Sequence, residues 1–344
     1  MGRRTAVWKA ALWGGVCGTL PDLDALIDFG DAVRNMTYHR AESHALFWLT
    51  LASVPLAWLI SRLHAEAKLF KRWWLAIWLV LVTHPLLDAF TVYGTQLLLP
   101  FSDYPFGIGS MFIIDPLYTA PLLAGLLVAL LARQYRGLRW NTIGLLMSTL
   151  YLGGSVAAQQ HVEGVVKASL ATDRAPADKV LVTPTPFNTI LWRVVVMRGD
   201  RYEEGFYSLL DRERKIRFDA FPNDVALFQQ LRLEWAVARM AWFTKGFFSM
   251  QERDGRAILT DLRMGQEPYY AFSFVVAQRQ SPTFAAVPAQ NIGRRGDVGM
   301  GIAWVWTRLQ GHDVPPPRSS GAGASAAAGP ALASEQGAKR QLLP

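Results

Sequence analysis

The stretch Trp73-Trp74-Leu75-Ala76-Ile77-Trp78-Leu79-Val80-Leu81-Val82-Thr83-His84-Pro85-Leu86-Leu87-Asp88 is apolar for most of its length, then closes on a histidine and an aspartate. An apolar helix of about 20 residues is long enough to cross a bilayer. His84 and Asp88 stand four apart, so a helix sets both on one face. Pro85, between them, loosens the last turn and frees carbonyl groups beside them. Ionisable side chains are costly next to hydrocarbon, so this end of the segment marks a functional site by default.

Four more segments of this kind flank it. They cover about residues 6–27, 45–63, 113–132 and 140–159, each near the length a crossing needs. Trp73, Trp74 and Trp140 suit anchoring at the lipid–water boundary. The composition agrees: 51% of the 344 residues are hydrophobic and only 18% are charged, below the usual quarter of soluble domains. The net charge of +8 sits largely in short loops between apolar runs, where membrane topology rather than nucleic-acid binding would put it. Cys17 is the only cysteine, which excludes an intrachain disulfide and argues against a thiolate metal site.

The loop charges orient the segments. The 64–72 loop carries Lys68, Lys71 and Arg72, the 133–139 loop carries Arg133, Arg136 and Arg139, and the N-terminus carries Arg3, Arg4 and Lys9. The 91–112 loop has no Lys or Arg. Positive loops stay inside, which predicts a cytoplasmic N-terminus and five crossings. Arg34 and Arg40 run against this pattern. Four motifs then share the outer face. These are Asp22 and Asp24 after Pro21, His39 to His44, His84 with Asp88, and Asp115-Pro116. The chain has six histidines, and three of them are in this set.

Residues 161–311 change character, with charges and short alternating stretches. Strands are expected at Lys179–Thr183, Ile190–Met197, Gly205–Leu210, Gly246–Arg253, Ala257–Arg263 and Tyr269–Arg279. Arg253-Asp254-Gly255-Arg256 reads as a hairpin turn, and Asn223 to Ala241 as a helix. The expectation is an α-helical polytopic membrane domain over 1–160, then a periplasmic α+β domain over 161–311. Residues 312–344, rich in Pro, Ser, Gly and Ala, are expected to be a disordered tail.

A mixed set of imidazoles and carboxylates suits Zn²⁺, Mn²⁺ or Fe. Six such groups exceed one tetrahedral shell, so either two ions bind or some carboxylates orient ligands or act as bases. Taken singly, Asp22 and Asp24 read as a helix cap, His84 as a packing residue and His39-Arg40 as a solvated loop. Their shared face is what favours a site. Ser43 reads as a hydrogen bonder at a helix end rather than a nucleophile. No Gly-x-Ser-x-Gly elbow and no His-Glu-x-x-His motif occurs.

Pro21-Asp22-Leu23-Asp24, His39-Arg40 with Ser43-His44, His84 with Asp88, and Ile113-Ile114-Asp115-Pro116 resemble, in order and spacing, the YdjM-like family of inner-membrane metal-dependent hydrolases. The likeness covers about residues 10–130. It implies a bacterial inner-membrane location and metal-dependent hydrolysis, and it names no substrate. The resulting expectation is a hydrolase acting on a lipid-linked or envelope substrate, with membrane lipid as its surroundings and no nucleic-acid partner. His39, His44, His84 and Asp88 would be direct ligands of a divalent metal, Zn²⁺ ahead of Mn²⁺ or Fe, as one or two ions. Asp22 or Asp24 would be a further ligand or the general base, and Arg40 would hold an anionic group such as phosphate. The rival is a non-enzymatic membrane protein with a structural metal or ion relay and an outer domain that binds partners.

Overall fold

Apolar helical segments open the chain and alternating segments close it, and the architecture follows that order. The computed structural model describes residues 6–132, 136–171 and 177–318; Arg3, Arg4, Arg133 and the 319–344 part of the expected tail lie outside them. Six helices come first: α1 (Val7–Thr19), α2 (Ala32–Tyr38), α3 (Leu46–Leu63), α4 (Phe70–Asp88), α5 (Pro116–Leu131) and α6 (Arg136–Leu170). A sheet-rich domain follows, with α7 (Val225–Leu231), α8 (Trp235–Phe243) and α9 (Val298–Leu309) set among its strands.

The apolar segments did become helices, but of unequal length. Among the described residues, α3 is the one helix long and apolar enough to cross a membrane by itself. α5 is apolar but has 16 residues, and α1 has 13 before Pro21 breaks it into a 3-10 turn. α1, α3 and α4 pack together through Cys17, Leu49, Ala57, Ile60, Trp73, Ile77 and Leu81. At one end of this bundle Lys9 pairs with Glu66 at 3.2 Å, and the Trp13 indole donates to His64 at 2.7 Å. The other end carries Asp22, His44 and Asp88.

α5 and α6 form a hairpin that small residues allow to close. A Cβ on Gly125 would meet the Trp140 carbonyl at 2.8 Å, and one on Gly144 would overlap the Pro121 carbonyl. Backbones this near need glycine, as in helix pairs packed within lipid. α6 continues through residue 160 without a break and lays Val162, Val165 and Val166 against the sheet domain.

That domain has two four-stranded antiparallel sheets. The first is ordered β1 (Lys179–Pro184), β2 (Leu191–Arg198), β3 (Arg201–Ser208), β4 (Phe218–Pro222). The second runs β10 (Thr283–Asn291), β9 (Ser273–Gln280), β6 (Arg256–Asp261), β5 (Phe248–Arg253). A short pair, β7 (Gly265–Gln266) with β8 (Tyr269–Tyr270), lies beside them. β2 is buried along its whole length. Trp192, Val194 and Val196 face α6, while Val195 and Met197 meet Leu262 and Tyr270 of the other sheet region. Burial on both faces explains why Leu191–Met197 is almost continuously apolar. The Asp254-Gly255 turn forms with both residues at positive φ, 52° and 68°, as the hairpin reading requires.

The single helix expected from Asn223 to Ala241 is instead two, α7 and α8, interrupted at Arg232-Leu233-Glu234, with Asp224 capping the first through the Leu227 amide. β4, β10 and α9 were not expected. β10 is an edge strand whose register shifts between Ala286 and Gln290, around Pro288. A proline is tolerated at such an edge, yet in the sequence it argues against a strand.

Candidate metal centre

Three breaks in regular structure deliver the ligands. Pro21 turns the chain from α1 into the 3-10 helix Pro21–Leu26. With three residues per turn, side chains two apart diverge by about a third of a turn. Asp22 and Asp24 therefore serve different partners. After α2, Arg40 takes a left-handed φ of 63°, which costs a non-glycine residue about 1 kcal/mol. A 3-10 turn, Glu42–His44, then presents His44 just before α3. α4 stays helical through Pro85 and sets His84 and Asp88 on its last turn.

Four of these side chains converge. The His44 Nε2 atom lies 3.3 Å from Asp22 Oδ1 and 3.4 Å from Asp88 Oδ2. The His84 Nε2 atom lies 3.5 Å from Asp22 Oδ1 and 3.3 Å from Asp88 Oδ2. All four donor atoms lie within 4.8 Å of one another. Tetrahedral bonds of about 2.0–2.1 Å put neighbouring ligand atoms about 3.3–3.4 Å apart. The four imidazole–carboxylate edges match that spacing. His84 Nε2 and Asp88 Oδ2 are buried and, among the described residues, have no hydrogen-bond partner, although they face each other at 3.3 Å. A buried polar atom left unsatisfied is unfavourable. A cation between these atoms satisfies them together, so the residues present fit a divalent metal.

Neighbours fix the ligands in place. Asp24 accepts from the Arg40 amide at 3.0 Å and from the Ser43 hydroxyl. Ser43 Oγ also lies 2.9 Å from His44 Nδ1. Because the Ser43 proton goes to the Asp24 carboxylate, its oxygen accepts from His44 Nδ1–H, and the lone pair of Nε2 turns to the centre. This is the usual way a histidine ligand is oriented. Arg40 Nη2 holds Asp88 Oδ1 at 3.1 Å, leaving Oδ2 for the centre, and Nη1 reaches Thr91 at 3.4 Å. The guanidinium lies over the Tyr93 ring, whose hydroxyl donates to the Met36 carbonyl at 2.7 Å. Burial of the His44 ring disfavours its charge. The neighbouring carboxylates of Asp22 and Asp88 outweigh that and hold its pKa above the ordinary imidazole value.

The structure divides the residues singled out in the sequence. Asp22, His44, His84 and Asp88 meet at the centre. His39, expected as a ligand, instead places Nδ1 2.7 Å from Asp24 Oδ1. Arg40 is engaged with Asp88 and is buried, not presented to an incoming anion. Asp115 stands apart: it caps α5 through the Leu117 and Tyr118 amides and accepts from the Tyr151 hydroxyl at 2.8 Å. Tyr93 and Thr91 carried no signal in the sequence, since neither belongs to a motif.

Access is uneven. The His44 side chain is fully enclosed, while that of Asp22 is 48% exposed, so Asp22 marks the solvent-facing side of the cluster. No match was found among curated proteins or among solved structures. The part of the chain that builds this cluster, residues 1–162, matches the model of the YdjM inner membrane protein family and is similar to that family.

Proposed function

We propose that the chain is a multi-pass inner-membrane hydrolase with one divalent metal, Zn²⁺ ahead of Mn²⁺ or Fe, held by Asp22, His44, His84 and Asp88. The observation that carries this is the tetrahedral spacing of four donor atoms, 3.3–3.5 Å along their imidazole–carboxylate edges. Such a metal supplies a water of lowered pKa and polarises an ester or phosphoryl oxygen. Asp22, half-exposed, keeps one side of the site open to substrate. The Asp24 carboxylate accepts a hydrogen bond from His39 Nδ1–H, which leaves the Nε2 lone pair free. That pair is suited to act as the general base, a role the sequence reading had given to the aspartate alone.

The arrangement in the membrane belongs to the same reading. Large apolar side chains lie exposed along the helices, among them Leu12, Val16, Leu51, Val54, Leu75, Leu79, Leu123, Leu127, Leu146 and Leu150. Lipid is the solvent that suits them. We place the N-terminus in the cytoplasm, and the centre and the sheet domain on the outer face. A lipid-linked or envelope substrate would then approach along the bilayer surface.

A second reading has one observation in its favour. Four protein donors complete a tetrahedral shell, as structural zinc sites do. Hydrolysis of a panel of lipid-linked phosphoesters and esters by metal-loaded protein separates the two. The enzyme reading expects activity that His39→Ala lowers by about 10²-fold or more while metal content is kept. A fully metal-loaded, inactive wild type would leave the structural role.

A further inference from the structure

We propose that α9 is an interfacial membrane helix, through which the sheet domain rests on the lipid–water boundary beside the metal centre. This rests on the membrane reading of α3 to α6 and gives the sheet domain an attachment that the reading does not contain.

The inner face of α9 is already committed. Arg308 donates to both carboxylate oxygens of Asp211, at 2.6 and 2.7 Å, and to the Phe206 carbonyl at 3.1 Å. Trp304 packs edge-on against the Phe206 ring, with centroids 4.8 Å apart. From Val298 to Thr307 the helix has no charged side chain. Its outer stripe, Val298, Ile302 and Trp306 at i, i+4 and i+8, is 69%, 53% and 66% exposed. In water such a stripe is a liability. At a bilayer surface it is the apolar half of an interfacial helix.

A relay of contacts joins this helix to the apolar helices. The Leu309 carbonyl accepts from the Ser208 hydroxyl, and the Leu209 amide donates to the Ile190 carbonyl at 2.9 Å. Beside Ile190, the Thr189 hydroxyl meets the Tyr151 hydroxyl at 2.9 Å, and Tyr151 donates to Asp115, the cap of α5. This relay of contacts ties the C-terminal end of α9, beside the exposed Leu210, to the first turn of α5. Exposed cations lie close to α9 and Leu210 along the chain: Arg294 and Arg295 precede α9, and Arg212, Arg214 and Lys215, with Glu213 among them, follow Leu210. Cations beside a buried apolar stripe suit anionic lipid headgroups. The occupant is thus the surface of an anionic bilayer.

The test uses the full chain in nanodiscs of phosphatidylglycerol and brominated phosphatidylcholine, with a bimane label on a single introduced cysteine. Native Cys17 is buried and does not compete. Three positions are compared: Ile302→Cys on α9, Leu127→Cys on the exposed side of α5, and Asp254→Cys. The last sits at the β5–β6 turn, the end of that hairpin opposite Arg263, which contacts the Tyr93 carbonyl. We expect shallow brominated lipid to quench Ile302→Cys several-fold more than Asp254→Cys, and deep brominated lipid to quench Leu127→Cys. Ile302→Cys as unquenched as Asp254→Cys, with Leu127→Cys quenched, would overturn the proposal and leave the membrane helices standing. Loss of quenching at Leu127→Cys as well would instead remove the membrane reading on which it rests. Shielding of Ile302→Cys that rises with protein density rather than with brominated lipid would assign the stripe to a second copy, and would also overturn it.

Discussion

At the scale of single residues, Ser43 shows how the site works. It touches neither carboxylate of the centre, yet its hydroxyl stands between Asp24 and His44 Nδ1 and so decides which nitrogen of His44 is free. Removing such a support costs a metal site about 10–100-fold in affinity. Ser43→Ala should therefore weaken metal binding by about that factor and leave the fold intact, as competition with a chromogenic chelator would measure. An affinity equal to the parent's would remove Ser43 from the site. Arg40 acts on the other side, holding one oxygen of Asp88 so that the second faces the centre. Its left-handed backbone persists because the Asp24 carboxylate, Asp88 and Tyr93 all hold it there.

At the scale of elements, the α5–α6 hairpin is the joint between the helical region and the sheet domain. Gly144 allows it to close, since any side chain there would overlap the Pro121 carbonyl. Gly144→Leu should destabilise the hairpin by about 1–3 kcal/mol or splay it, seen as a lower thermal midpoint in detergent. An unchanged midpoint would mean the two helices are not packed backbone to backbone. The elements also show what a sequence reveals. α3, α4 and the Asp254-Gly255 hairpin were legible because their signals are local: an apolar run, an i,i+4 pair, a turn dipeptide. The convergence of Asp22, His44, His84 and Asp88 was legible in outline, from four motifs falling on one predicted face. The exchange of roles between His39 and Asp22 was not, because it depends on how the 3-10 turn at Pro21 aims two carboxylates in different directions. β10 was hidden by its proline, and α9 by a composition that fits a buried helix as well as an exposed one.

At the scale of the molecule, the bundle has two unlike ends. One carries the Lys9–Glu66 pair and His64; the other carries the candidate metal centre and the contacts to the sheet domain. Arg263 ties the two regions together, donating to the Tyr93 and Phe243 carbonyls at 2.9 and 3.0 Å while paired with Asp261. If that end faces outward, a reporter fused after residue 311 is active outside the inner membrane and one placed in the 64–72 loop is active inside. The reverse pattern would invert the whole arrangement and move the centre to the cytoplasm.

The central claim is that Asp22, His44, His84 and Asp88 together hold one divalent metal. Elemental analysis of the purified full-length protein after loading with zinc tests it most directly, beside His84→Ala prepared in the same way. About one metal per chain is expected in the wild type and almost none in His84→Ala, with helical content unchanged, since a tetrahedral site that loses one of four ligands binds far more weakly. A wild type that retains no metal, or a His84→Ala protein that retains as much as the wild type, would contradict it.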